Sequence, residues 1–127
     1  MKFRVFVLLF AIVFAMTGCT SEKIQQIIVY KMISFQETDQ ISVKVFRDSS
    51  DISVFSKAFK HATKNSGIAD MADPQYKVEM GKETYFLWLT DEAGTIENVN
   101  NTNVTYTLSK KSAGEVYQLL LETSESK

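Results

Sequence analysis

The chain has 127 residues, with 14 Lys and Arg against 15 Asp and Glu, one His and one Cys, for a net charge of −1. That length suits one domain with one core. The near-neutral balance, without a basic run or patch, excludes an electrostatic nucleic-acid binder, and a lone cysteine excludes a disulfide within the chain.

Lys2 and Arg4 form a short positive start, Val5 to Met16 is an unbroken apolar run of twelve residues, and Thr17-Gly18 leads into Cys19. This is the order of an export signal. Twelve helical residues reach about 18 Å, short of the roughly 30 Å of bilayer hydrocarbon, so the run is a signal core rather than a comfortable span. The ending Met16-Thr-Gly-Cys19 resembles the bacterial lipobox, with Met16 where leucine is the commonest choice. The resemblance implies a diacylglyceryl thioether on Cys19 and cleavage between Gly18 and Cys19. A thiol is the nucleophile such a transfer needs, and lipidation explains a single leftover cysteine in an exported chain. The plainer alternatives are an ordinary secretory signal with a chance cysteine, or an uncleaved anchor. Residues 1–18 are thus expected to be a lipoprotein signal peptide, and 19–23 the lipidated cysteine and a short tether. Thr20 to Lys23 reach about 15 Å, which keeps the domain close to the membrane. Cleavage removes Lys2 and Arg4 and leaves 109 residues with 12 basic and 15 acidic groups, net −3. Anionic headgroups weakly repel such a domain, so the two acyl chains, not the protein surface, are expected to hold the membrane.

Ile24 opens a β-rich stretch to Phe35 in which Ile28, Tyr30 and Met32 alternate with Ile27, Val29 and Ile33, which predicts a strand buried on both faces. After the polar turn Glu37 to Gln40, Ile41, Val43 and Val45 alternate with Ser42 and Lys44. That pattern predicts a half-buried strand, the hairpin partner of the first. Ser49 or Ser50 can cap a helix with Asp51 in its first turn. Ile52, Phe55, Phe59 and Ala62 form its apolar stripe, with Lys57, Lys60 and Lys64 outside and Gly67 at or just beyond its end. Thr63 to Gln75 is a long irregular stretch holding Ile68, Met71 and the only proline, Pro74.

Tyr76 to Met80 and Thr84 to Thr90 are predicted strands about a Gly81-Lys82 turn. Asp91 to Gly94 is a second turn, with glycine expected to supply a positive φ. Ile96 to Asn98 and Val104 to Leu108 flank an Asn-rich turn. Ser109 caps a last helix with Ala113, Val116 and Leu120 on its stripe, and Gly114 weakens it by about 1 kcal/mol relative to alanine. The domain is therefore expected over 24–121, with 122–127 a polar tail. The order β-β-α-β-β-β-β-α with short hairpins predicts a two-layer α+β fold, a mostly antiparallel sheet with two helices on one face.

The lipobox, Pro74-Gln-Tyr-Lys-Val-Glu, Tyr85-Phe-Leu-Trp-Leu, and Tyr106-Thr-Leu-Ser before the final helix together resemble the small YhfM-like lipoproteins of Bacillus and relatives. The resemblance covers most of the mature chain. Its motifs concern the fold rather than chemistry, so it implies no site residue beyond the lipidated Cys19.

A search for chemistry finds little. His61 has no second histidine and no acid at i+4, which argues against a metal site or a triad. Asp70 and Asp73 lack the spacing of a calcium loop. Asp91-Glu92 and Glu79/Glu83 read as hairpin acids, and no G-x-S-x-G elbow or phosphate loop occurs. Asn100 and Asn103 begin N-x-T triplets that are accidental in a bacterial lipoprotein. Phe86 and Trp88 are more informative. They alternate with Tyr85 and Leu87, so helices over the latter leave an aromatic pair among lysines and threonines, a candidate binding patch. The alternative is that the 63–75 loop folds over the pair through Ile68 and Met71. The expectation is a lipid-anchored, non-enzymatic binding or adaptor module facing outside the cytoplasm, with no cofactor or metal and an unidentified protein or envelope partner. An inhibitor or immunity-like lipoprotein is the alternative.

Overall fold

A computed structural model describes residues 23–66 and 71–125; the signal segment, Gly18 and Cys19 lie outside them. The elements are β1 (Ile27–Met32), β2 (Thr38–Phe46), α1 (Ser49–Lys60), β3 (Thr63–Lys64), β4 (Tyr76–Met80), β5 (Glu83–Leu89), β6 (Gly94–Asn98), β7 (Thr105–Thr107) and α2 (Lys110–Glu125). The strands form one antiparallel sheet in the order β2-β1-β4-β5-β6-β7-β3. This is the two-layer α+β arrangement expected, with one addition. The two-residue β3 pairs with β7 at the far edge.

Register explains the core. Val29 lies opposite Val78, and Val78 opposite Tyr85, while Tyr76, Leu87, Ile96 and Tyr106 form the next cross-strand row. Side chains of one parity therefore share one face. On that face Phe55, Ala58 and Phe59 of α1 and Ala113, Val116 and Leu120 of α2 bury against Ile27, Val29, Val78, Leu87 and Ile96. Burying each large apolar side chain contributes about 1.5–3 kcal/mol.

Local chemistry departs from expectation at four places. Asp48, not Ser49 or Ser50, caps α1: its side chain accepts from the Ser50 N–H at 2.8 Å and the Ser50 hydroxyl at 2.6 Å. Those bonds hold the Asp48 carboxyl below its usual range. The helix ends at Lys60, where the His61 N–H closes on the Lys57 carbonyl; Gly67 lies outside the described residues. Ser109 caps α2 as expected, accepting from the Ser112 N–H at 3.1 Å, and the helix runs on to Glu125. The positive φ belongs to Gly81, at 62°, and not to Gly94. Gly94 is needed for space, since a Cβ there would stand 2.7 Å from Leu108 Cδ1 and 3.3 Å from Leu89 Cδ1.

The first two strands are corrected more deeply. β1 is buried on one face only: Ile27 and Val29 are covered, while Ile28 and Tyr30 are half-buried and Ile33 is exposed. β2 is turned over. Ile41, Val43 and Val45 are 89%, 44% and 40% exposed, and Phe46 and Lys44 take the side of the helices. Pairing of Ile27 with Phe46 and Val29 with Lys44 sets this parity. One phenyl ring is inserted, and three smaller side chains go to the free face. Lys44 lies along the helix side and its Nζ donates to the Leu120 carbonyl at 2.8 Å.

Replacing Gly94 with Ala should lower stability by about 1–3 kcal/mol through overpacking against Leu108 and Leu89. Urea denaturation measures this, and a neutral effect would show that Leu108 gives way freely.

Candidate functional site

The helices leave the second face of the sheet to loops and to a few large side chains. Alternation in β5 places Phe86 and Trp88 there. Both are half-buried. They form a three-ring cluster with Phe35, which reaches over from the β1–β2 hairpin. Ring centroids are 5.6 Å apart for Phe35–Phe86, 6.2 Å for Phe35–Trp88 and 6.5 Å for Phe86–Trp88. Such edge and tilted contacts suit aromatic quadrupoles. Trp88 Nε1 donates to the Ala72 carbonyl at 2.9 Å, Met71 is half-buried and Pro74 is buried. Gln75 takes the Leu89 N–H on its side-chain oxygen. Ile68, the other residue expected to cover the pair, lies outside the described residues.

Around the cluster, Lys77 Nζ stands 4.9 Å from the Tyr30 ring centroid and 4.0 Å from Glu79 Oε1. Glu97, cross-strand from Phe86 on one side and Thr105 on the other, is only 4% exposed, and Thr105 is buried too. Asn65 stands beside them, its amide donating to Thr105 Oγ1 at 3.0 Å and its carbonyl accepting from Thr107 Oγ1 at 2.8 Å. Burial raises the Glu97 carboxyl above the usual carboxylate range. Neither Phe35 nor Glu97 was singled out by pattern. Phe35 is the one aromatic in an otherwise polar turn, which was a usable signal. Glu97 carried none, because its burial comes from residues distant in sequence.

On the helix side a cleft of ≈ 400 Å³ opens near the end of α1, lined by Phe59, Tyr85 and Tyr106 with Glu83 and Asn98. Asn98 Nδ2 donates to Glu83 Oε2 at 2.6 Å. Burial, with the nearby Glu83 charge second, raises the Tyr85 phenol.

The remaining sequence candidates stand apart from both features. His61 is exposed at the end of α1 and Asp73 is exposed, whereas Asp70 lies outside the described residues. Asp91 and Glu92 occupy the β5–β6 turn, where Glu92 is 3.8 Å from Lys110 Nζ. Asn100 and Asn103 are exposed in the turn before β7. Among the described residues no three His, Cys, Asp or Glu side chains gather in a way that could hold a metal ion, and no helix is long and apolar enough to cross a membrane. The geometry offers surfaces for non-covalent contact.

A family model described as YhfM protein matches residues 20–126. No curated protein and no solved structure matches the chain.

Trp88 is the only tryptophan, so its fluorescence reports on the aromatic cluster alone. Trp88→Ala should cost about 2 kcal/mol, between the roughly 3–5 of a fully buried aromatic and the small cost at an open surface. Urea titration followed by circular dichroism measures it; a loss below about 0.5 kcal/mol would mean an open ring.

A second expectation concerns pH. The folded-state pKa of Glu97 is raised, so the folded chain binds more protons than the unfolded chain between the ordinary carboxylate pKa and the raised one. Stability from this group therefore falls as pH rises through that window. Glu97→Gln should raise the melting temperature at pH 7, with the advantage shrinking toward pH 4. A constant difference across that range would remove the linkage.

Proposed function

The chain belongs to the YhfM protein family, and from that footing we propose that it is a membrane-anchored, extracytoplasmic bacterial lipoprotein, a non-enzymatic binding or adaptor module of the cell envelope. Anchoring is supported by the positive start, the apolar run and Met16-Thr-Gly-Cys19, with Cys19 the only cysteine. Binding rests on one observation, the three-ring cluster of Phe35, Phe86 and Trp88 on the sheet face that the helices leave free. A half-open aromatic group held by a rigid sheet loses little conformational entropy on contact, which is why such residues anchor protein interfaces. An immunity-like role would use the same anchor and the same surface. It differs in its phenotype: deletion would then sensitise cells to rival bacteria rather than provoke envelope stress.

Intact mass of the membrane-extracted protein should show a chain that begins at Cys19 and carries a diacylglyceryl group. Cys19→Ala should leave unprocessed precursor. An unmodified thiol, or a mature chain starting elsewhere, would remove the anchor. Crosslinking in cells should capture a partner with the natural chain and much less of it with Trp88→Ala; equal capture would move the binding surface elsewhere.

A further inference from the structure

A net negative charge conceals how the charges are placed. Beside the first described residue lies a groove of ≈ 720 Å³ lined by Lys23, Ile24, Arg47, Lys57, Lys60 and His61 among others, and no carboxylate lines it. The four lysine and arginine side chains belong to exposed residues, and none is ion-paired to another described residue. Asp48 and Asp51 start the same helix but do not line the groove, and Asp48 is engaged by Ser50.

The position of this groove matters as much as its charge. Four Cα steps separate Cys19 from Lys23, at most about 14 Å of chain. A lipid on Cys19 therefore holds the Lys23 side of the domain close to the headgroups, within reach of a surface potential that decays over about 8–10 Å. Pairing of Ile27 with Met80, and of Met80 with Glu83, puts the start of β5 at this same end. The other end of β5 carries Trp88, the β5–β6 turn and, through its contact with Glu92, Lys110.

We propose that the Lys23–Arg47–Lys57–Lys60 groove docks on the anionic phosphate headgroups of the bilayer that holds the anchor. Docking turns this end toward the membrane and points Trp88 and the β5–β6 turn away from it. The inference rests on lipidation of Cys19, which supplies the short leash; the groove supplies the orientation.

The test uses the full chain, processed in cells, extracted and checked by intact mass. It is reconstituted into vesicles of phosphatidylcholine alone or with phosphatidylglycerol added, then labelled briefly with an amine-reactive reagent and mapped by peptide mass. On the anionic vesicles Lys57 and Lys60 should label about fivefold more slowly than on neutral ones, while Lys110 and Lys111 label equally on both. High salt should abolish the difference. The pair Lys23→Ser and Arg47→Ser, both at exposed positions, should reduce the protection of Lys57 and Lys60. A lipidated chain whose lysines label alike on both vesicles overturns the docking and leaves the anchor intact, and protection seen only in intact cells would assign the groove to an acidic protein instead. A mass without the lipid overturns the anchor and the docking together.

Discussion

Phe46 is the residue on which the arrangement of the first half of the domain depends. Its ring meets Phe55 at 5.1 Å, Phe55 meets Phe59 at 6.3 Å, and Phe59 meets Tyr85 at 5.0 Å. This file of rings joins an edge strand, helix α1 and the middle of the sheet in one packed line. A strand has only two faces, so the inward turn of Phe46 fixes the parity of the paired residues back to Lys44, where the bulge begins. Lys44 consequently reaches the helices, with its charged end on a carbonyl of α2. Val45 goes outward by the same constraint, and Ile41 and Val43 stand exposed in the bulge beyond it.

That constraint accounts for where the sequence was legible. β4 alternates cleanly, so Tyr76, Val78 and Met80 could be placed from spacing alone, whereas β5 is apolar from Tyr85 to Leu89 and its spacing separates two faces without saying which one the helices cover. The stripes of both helices were equally plain. β2 misled because its apolar alternation runs on the wrong parity, and one aromatic at its last position outweighs three β-branched residues. Strand propensity describes fit to a pleated surface without specifying which side is covered. Gly94 shows a related limit. A glycine in a turn suggests a left-handed residue, but here the neighbour that forbids a side chain, Leu108, comes fourteen residues later.

The second face of the sheet was only half readable. The parity of Phe86 and Trp88 followed from β5, but what stands over them did not. Phe35 arrives from one hairpin, Ala72 from a loop, and Glu97 is buried between Phe86 and Thr105 of its neighbouring strands. These contacts join segments far apart in the chain. Local pattern cannot report them, because they follow from tertiary packing. The result is a face that is neither a second core nor a bare polar surface. It keeps its aromatic rings partly open while tying the indole N–H to a backbone carbonyl.

The irregular pairing of β2 has a consequence for how this protein behaves among copies of itself. Val29 lies opposite Lys44 and Lys31 opposite Asp39, so Gln40 to Val43 face Tyr30 alone. Ser42 takes the Lys31 N–H at 2.8 Å and donates to the Asp39 carbonyl at 2.6 Å, while the Asp39 carboxylate accepts from the Ile41 N–H at 3.1 Å. The strand therefore has an irregularity at its centre, where Asp39, Ile41 and Ser42 bond within the bulge or to the neighbouring strand. A free edge carrying Ile41, Val43 and Val45 would otherwise be a template for strand-by-strand aggregation. Broken into two short pieces, it offers no long straight ladder for a neighbouring molecule to extend. The bulge lets the chain keep apolar residues on an open edge while shortening the ladder that edge presents.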